Sequence, residues 1–382
     1  MDYIALGDLI SKAQVEKCGK REYPVLSMTM HDGIVFQNDR FKKDIASIDR
    51  SNYSVVGFNQ LVVSFPIDEG VLAVQDITDA GIVSPAYKIW DIDQAKLVPK
   101  YLEMWLRSPR SIDYYKSKLR GTTARRRSIP EEDFLGMRVN VPPKEEQERI
   151  VDLLTRVKGV MLLREQELVA LDDLIKARFV EMFGDPEIGV CKYPLCRLGD
   201  LAIKISDGVH AKPEYTEEGK PFLSVVNINK GVVDFTDCKY VSEEAYQKMI
   251  KSTHPEYGDV LYTKVGATYG IPAYVDTDKE FCLYVSVCLI KPIHDRINSR
   301  FLAVQMAMPF IKHQADSRIK GIGVPDLHLN QISEFNIICP PRAEQDAFVA
   351  FVDQIDKSKS AIQKSLDETQ LLFDSLMQKY FG

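Results

Sequence analysis

Two stretches of this chain share one pattern. VPPKEEQERIV begins at Val141 and CPPRAEQDAFV at Cys339; each places two prolines, a basic residue, one spacer and Glu-Gln at the head of a long helix-like segment. The two proline pairs lie 198 positions apart, and the offset holds without a gap to Gly184 and Gly382. The duplication reaches further. Leu6-Gly7-Asp8-Leu9 with Lys12 returns as Leu198-Gly199-Asp200-Leu201 with Lys204. Pro24-Val25-Leu26-Ser27 with Gly33 returns as Pro221-Phe222-Leu223-Ser224 with Gly231, and Tyr101-Leu102 with Gly121 as Phe301-Leu302 with Gly321. Offsets drift between 192 and 200, as loops of unequal length inside two copies of one fold require. A period this long is a tandem domain duplication, since solenoid repeats run ~20–50 residues.

Each copy opens with a globular part of mixed character. The β-rich runs Tyr53 to Val63 and Phe281 to Ile290 are broken by Gly, Asp, Asn and Pro turns. A helical stretch follows from Val98 to Leu119, mirrored from Ile297 to Ala315. The class is α+β. Each copy then closes with a long helix, opened by prolines whose missing N–H costs nothing in a first turn. Glu145, Glu146 and Glu148, and Glu344 and Asp346, suit the positive end of the helix dipole.

Along the first long helix Ile150, Leu154, Val157, Met161, Leu168, Leu171, Ile175 and Met182 recur at steps of three and four. Phe348, Val352, Ile355, Ile362, Leu366, Phe373, Leu376 and Tyr380 do so along the second. This is a coiled-coil seam. Its polar positions, Arg164 and Arg178 in one helix and Lys359 and Thr369 in the other, are offset, which favours pairing of the first helix with the second. A helix packed only on its own domain is the simpler alternative. A run of roughly 40 residues, however, spans ~60 Å, more than the width of a small domain.

Composition then narrows the function classes. No apolar run approaches the ~18–20 residues of a membrane span, and Met1-Asp2-Tyr3 does not open a signal peptide, so a soluble, cytoplasmic protein is expected. The seven cysteines are scattered, with no Cys-x-x-Cys; reduced thiols are expected in place of a zinc site. Asn140-Val141-Pro142-Pro143-Lys144 is not the Asn-Pro-Pro-Tyr of an amine methyltransferase. There is no phosphate-binding Gly-x-x-x-x-Gly-Lys-Ser/Thr loop, Gly321-Ile322-Gly323 lacks the third glycine of a dinucleotide fingerprint, and the six histidines form no HExxH. No enzyme is expected.

The net charge of −6 hides a local excess. Between Arg107 and Arg127 lie Arg107, Arg110, Lys116, Lys118, Arg120, Arg125, Arg126 and Arg127 against the single acid Asp113. Thr122 and Thr123 add small hydroxyls suited to phosphate hydrogen bonds. The second copy offers Arg296, Arg300, Lys312, His313, Arg318 and Lys320 with Asp316 as its acid. Phosphate attraction acts within ~8–10 Å, so such patches outweigh an acidic total.

The residues also carry a family resemblance. Pro-Pro-x-x-Glu-Gln-x-x-[Ile/Val] followed by a long helix and Phe179 to Pro186 (FVEMFGDP) resembles the specificity subunit of type I restriction–modification systems. So do Asp207-Gly208-Val209-His210 with Pro213 and Tyr215, Gly219-x-Pro221-Phe222-Leu223, and Gly258-Asp259-Val260-Leu261 with Thr263, Gly266 and Gly270. Gly81-Ile82-Val83-Ser84-Pro85-x-Tyr87 is similar to another variety of that family's recognition domain. The resemblance implies two tandem target-recognition domains, 1–141 and 185–339, joined by antiparallel coiled-coil spacer helices, 142–184 and 340–382, in a pseudo-twofold repeat.

It further implies double-stranded DNA with a split recognition sequence as ligand. Two methyltransferase and two restriction/translocase subunits are the implied partners, with S-adenosylmethionine, ATP and Mg on those partners and none on this chain. Resemblance and residue type add Lys204, His210, Lys212, Asn227, Asn229, Lys264 and Thr268 to the candidate DNA contacts. Partner surfaces are expected on the outer helix faces, at Glu165, Glu167, Asp172, Asp173 and Lys176. The competing class is a coiled-coil adaptor that gathers proteins without touching DNA.

Overall fold

The computed structural model describes residues 3–30, 32–40, 49–119, 129–319 and 323–382, with Arg40 as backbone only. The chain divides into two compact units: Met1–Gln166 with Gln363–Gly382, and Glu167–Ile362.

The first unit is built on an antiparallel sheet of β1 (Ile10–Lys12), β2 (Leu61–Val63), β3 (Leu72–Val74) and β4 (Lys88–Ile92), ordered β1-β4-β2-β3. Successive residues face opposite sides, and both sides are covered. Leu61, Val74 and Trp90 join one core with Tyr101, Leu102 and Trp105 of α1 (Pro99–Leu106) and Tyr115 of α2 (Pro109–Lys118). Val62, Ala73 and Ile89 join another, under the hairpin Leu26–Thr29/Gly33–Phe36 and the strand pair Ser54–Gly57/Ala80–Val83. The single helical stretch expected from Val98 to Leu119 is thus two helices. Ser108, in extended backbone, caps α2 and leads into Pro109, which suits a first turn but cannot continue a helix. The chain then reaches α3 (Lys144–Phe183), whose first part belongs to this unit.

The second unit repeats the plan. β5 (Ala202–Asp207), β6 (Val260–Thr263), β7 (Pro272–Tyr274) and β8 (Val287–Pro292) form an antiparallel sheet ordered β5-β8-β6-β7, the same topology. α4 (Ser299–Met306) and α5 (Pro309–Arg318) answer α1 and α2, again broken at a proline, and α6 (Arg342–Phe381) answers α3. The outer layer differs. It is a three-stranded sheet of Lys239–Val241, Lys220–Leu223 and Cys282–Leu283, with one parallel pairing, plus the helix Glu243–Met249.

Both long helices run 40 residues, and every seam residue is at least half-buried. Leu162, Leu163, Val169, Leu371 and Leu372, off the seam, are mostly exposed. In the first unit Ile150 and Leu154 of α3 share a core with Phe373, Leu376, Met377 and Phe381 of α6. In the second, Ile175, Phe179 and Phe183 of α3 share one with Phe348 and Val352 of α6. Each unit therefore buries the start of one long helix beside the end of the other, and the compact units cut both helices where the sequence treats them as separate segments. Gly184 closes α3 at φ +90°, where a Cβ would meet Val190 O at 2.1 Å.

One expected outward residue is corrected. Asp172 accepts from Lys359 Nζ of α6 at 2.6 Å and so faces the neighbouring helix. The polar seam position Lys359 has drawn it there. Arg178, another seam cation, lies over the Phe351 ring.

Candidate nucleic-acid interface

At one end of the second unit's sheet, three loops meet around Lys264. Its ammonium, 6% exposed, lies 3.5 Å from Asp207 Oδ2 and 3.4 Å from Asp326 Oδ1. Its backbone donates to Ser286 O and accepts from Leu327 N, while Gly266 N donates to Pro325 O. These bonds fix the β6–β7 loop against the 323–327 segment. Burial holds the Asp207 carboxyl above the usual carboxylate range, with Lys264 pulling the other way. The outer surface of the cluster is small and open: nothing lies within 4 Å of the Cβ that Gly266 or Gly323 lacks, and Ala267 and Thr268 are exposed. His210, 78% exposed, projects beside Asp207 with Nε2 at 3.6 Å. Such a surface lets a sugar-phosphate backbone approach closely and offers an imidazole and a hydroxyl to it or to base edges.

His210 and Thr268 are therefore brought together at this end. Lys212 is exposed nearby in sequence, its ammonium over Tyr215. Lys239, at 4.3 Å from the same ring, joins them, although nothing in Cys238-Lys239-Tyr240 singles it out in the sequence. Lys204 donates to Ser252 O. Asn229 lies elsewhere, in a groove of about 970 Å³ against α3, α4 and α6.

Two expected DNA-binding residues, Lys264 and Asn227, are corrected because they are buried, and two more, Lys312 and Arg318, have partners within their own unit. Lys264 is the buried ion-pair centre just described. Asn227, also buried, accepts from Ser224 N and donates to Asp234 O, so it shapes its own turn. Lys312 lies 3.7 Å from the centre of the Tyr269 ring and is paired with Asp316. Arg318 bonds Gln314 O and packs over Phe335. The physical reason for the two corrections is that Lys264 and Asn227 are buried among acceptors of their own unit. The basic patch of the second copy is likewise balanced by acids that a local count misses. Arg300 pairs with Asp356 and His313 with Glu187, while Arg296 donates to Asp200 O.

In the first copy Arg107 donates to Met30 O and Arg110 to Tyr3 Oη and Gly382 O, which makes them framework residues. Lys118 lies 3.5 Å from Asp133, and Lys116 is 58% exposed beside Asp113. Arg120, Thr122, Thr123, Arg125, Arg126, Arg127 and Lys320 lie outside the described residues. In the sequence they follow α2 and α5 at the same point of each copy. Among the described residues no cluster of three His, Cys, Asp or Glu could hold a metal ion, and no helix is long and apolar enough to cross a membrane.

Residues 193–369, which include the sheet, the loops around Lys264 and most of α6, match the family model for the type I restriction modification DNA specificity domain. Nearly half of the chain is thus similar to the type I restriction–modification specificity family. Curated members resemble it at low identity. The type I restriction enzyme MjaVIII specificity subunit of Methanocaldococcus jannaschii is 21% identical over 282 residues, 66% of this chain and 64% of that protein. A candidate MjaX specificity subunit of the same organism is 22% identical over 212 residues, 53% of this chain and 48% of the other. The alignments thus span about half to two-thirds of those specificity subunits. Two solved structures share the fold. One, described under complex assembly and conformational transition of the type I R-M system, superposes with TM-score 0.58 at 17% identity over 99% of this chain and 97% of the other. The specificity subunit from M. genitalium gives 0.52 at 16% identity over 100% and 96%.

Proposed function

We propose that this chain is the DNA-reading subunit of a type I restriction–modification assembly, in which each unit reads one half of a split double-stranded site. The observation that carries this reading is the repetition with a difference. One sheet topology and one proline-headed helix occur twice, while the outer layers, two strand pairs in one unit and a three-stranded sheet with a helix in the other, are unlike. A common frame bearing two dissimilar surfaces suits two dissimilar half-sites. The long helices act as an antiparallel coiled-coil spacer; ~60 Å of helix exceeds the ~34–36 Å between half-sites one DNA turn apart.

DNA contact falls to His210, Lys212 and Thr268 in the second unit and to Lys116 in the first. Arg120, Arg125, Arg126 and Arg127 after α2, and Lys320 after α5, supply the phosphate contacts. Chemistry belongs to partners: two methyltransferase subunits with S-adenosylmethionine, and two restriction/translocase subunits with ATP and Mg. An adaptor that ignores DNA would have no use for two unlike outer layers.

The test is co-expression with the cognate methyltransferase subunit and sequencing of host DNA for N6-methyladenine. A split motif that depends on this chain, and changes in one half when residues 1–141 are exchanged, is the expected result. Complex formation without sequence-dependent methylation would overturn it.

A further inference from the structure

Cys196 and Cys339 meet in the second unit. The strand Leu195–Arg197 pairs antiparallel with Asn336–Ile338, with Cys196 opposite Ile337. Cys339 continues that strand, its N–H donating to Pro194 O at 3.0 Å. Residues two apart on a strand share a face, so Cys339 is the diagonal neighbour of Cys196. Burial and then the neighbouring Cys196 side chain hold the Cys339 thiol above its ordinary range, and its Sγ lies 3.7 Å from Ile337 O. Both thiols are free and half-buried at the margin of the core, and Cys339 directly precedes the prolines that open α6.

The fold does not need cysteines there. In the first unit Tyr3–Ala5 pairs with Arg138–Asn140, with Ile4 opposite Val139. Ile4 and Val141 consequently stand where Cys196 and Cys339 stand, and both are half-buried against their core. An apolar diagonal pair in one copy has become two thiols in the other.

We propose that Cys196 and Cys339 are an oxidisable pair that closes to a reversible disulfide on exposure to a peroxide. The Cys196 thiolate attacks one peroxide oxygen; the O–O bond breaks, hydroxide leaves and takes up a proton, and a sulfenic acid forms. The Cys339 sulfur then attacks the Cys196 sulfur; the S–O bond breaks, the S–S bond forms, and the departing hydroxide leaves as water with the Cys339 proton. Two thiols and one hydrogen peroxide give one disulfide and two waters. Burial pushes the Cys339 thiol up to about 12, which keeps it protonated and gives it the resolving role. The bond ties the strand that leads into β5 to the start of α6.

The experiment treats the full native chain with hydrogen peroxide, alkylates it and maps its peptides by mass spectrometry. The expected result is that two of the seven thiols become unreactive, that one peptide pair joins Cys196 to Cys339 with loss of two hydrogen atoms, and that dithiothreitol reverses both changes. The variant Cys196→Ile/Cys339→Val, carrying the first unit's residues, should keep the wild-type circular dichroism and lose the cross-link. If that variant fails to fold, Cys339→Ser reads the same chemistry, since Cys196 then stops at a sulfenic acid that dimedone traps. Seven reactive thiols after oxidation, a bond between other cysteines, or over-oxidation of Cys196 in wild-type protein without a disulfide would each overturn the proposal.

Discussion

Gln345 Oε1 accepts the backbone N–H of Asn298 at 2.7 Å, and Gln147 Oε1 holds the N–H of Val98 in the same way at 2.8 Å. Each carboxamide also donates twice, Gln345 to Pro340 O and Arg296 O, Gln147 to Pro142 O and Lys96 O. Both side chains are almost fully buried. The glutamine of each Pro-Pro/Glu-Gln segment therefore ties the first turn of a long helix to the loop that precedes α1 or α4. Gln147→Ala leaves three backbone groups without their partner, at about 1–3 kcal/mol for each one that water cannot reach. Gln147→Glu should also destabilise, since a carboxylate cannot donate. Both tryptophans, Trp90 and Trp105, are buried in the first unit, so the midpoint of fluorescence-detected urea unfolding should fall in both variants. An unchanged midpoint in Gln147→Ala would contradict the assignment.

The second unit's share of the long helices rests on an aromatic cluster. Phe348 of α6 lies 5.6 Å from Phe179, 5.5 Å from Phe183 and 5.9 Å from Phe301, measured between ring centres. Phe348→Ala should cost ~3–5 kcal/mol. The Lys359–Asp172 pair is half exposed, and Lys359→Ala should cost under ~1 kcal/mol. Circular dichroism during urea unfolding separates the two; equal losses would mean that the ion pair contributes as much there as the aromatic cluster does.

Charge near the candidate interface divides into two kinds, and salt tells them apart. Removing a cation that neutralises one phosphate of duplex DNA flattens the slope of log K against log salt by ~0.9. Arg125→Ala/Arg126→Ala/Arg127→Ala should weaken binding and flatten that slope. Lys264→Met should leave the slope as it is, because the ammonium is committed to Asp207 and Asp326. Its effect falls on stability, where breaking a buried pair costs about 3–5 kcal/mol. A flattened slope for Lys264→Met would return it to the DNA-contacting residues.

The repeat made the frame legible because each device leaves a mark at fixed spacing: the seam at steps of three and four, the buried glutamine after two prolines, the shared Leu-Gly-Asp-Leu turn. Leu154 and Phe348, both fully buried, stand on that seam. The site was less legible because charge balance is a three-dimensional property. Arg300 looks unopposed in its own segment and meets Asp356, 56 residues away. Lys264 looks like one more cation in a glycine-rich loop until Asp207 and Asp326 are folded around it. Asp326 and Lys239 had no local signal at all.

Asp207 gives a prediction whose sign decides between two forces. Burial raises its carboxyl above the usual range, and the attraction of Lys264 only partly offsets this. Its Oδ1 is buried with no hydrogen-bond partner among the described residues, in keeping with burial as the larger effect. A raised folded value means that the folded chain binds this proton more tightly than the unfolded chain does. The resulting stabilisation is complete below the unfolded value, about 3.9, and is lost as pH rises through the folded value. Asp207→Asn cannot titrate, so the melting temperature of the wild type relative to this variant should fall as pH climbs above about 3.9 and level off once the folded carboxyl is ionised. Had Lys264 dominated, the folded value would be depressed, and the wild type would instead gain on the variant as pH rose through the folded value towards 3.9 or so. Thermal melts of both proteins over the same pH series distinguish the slopes, and a rising one would show that the ion pair outweighs burial at the centre of the candidate interface.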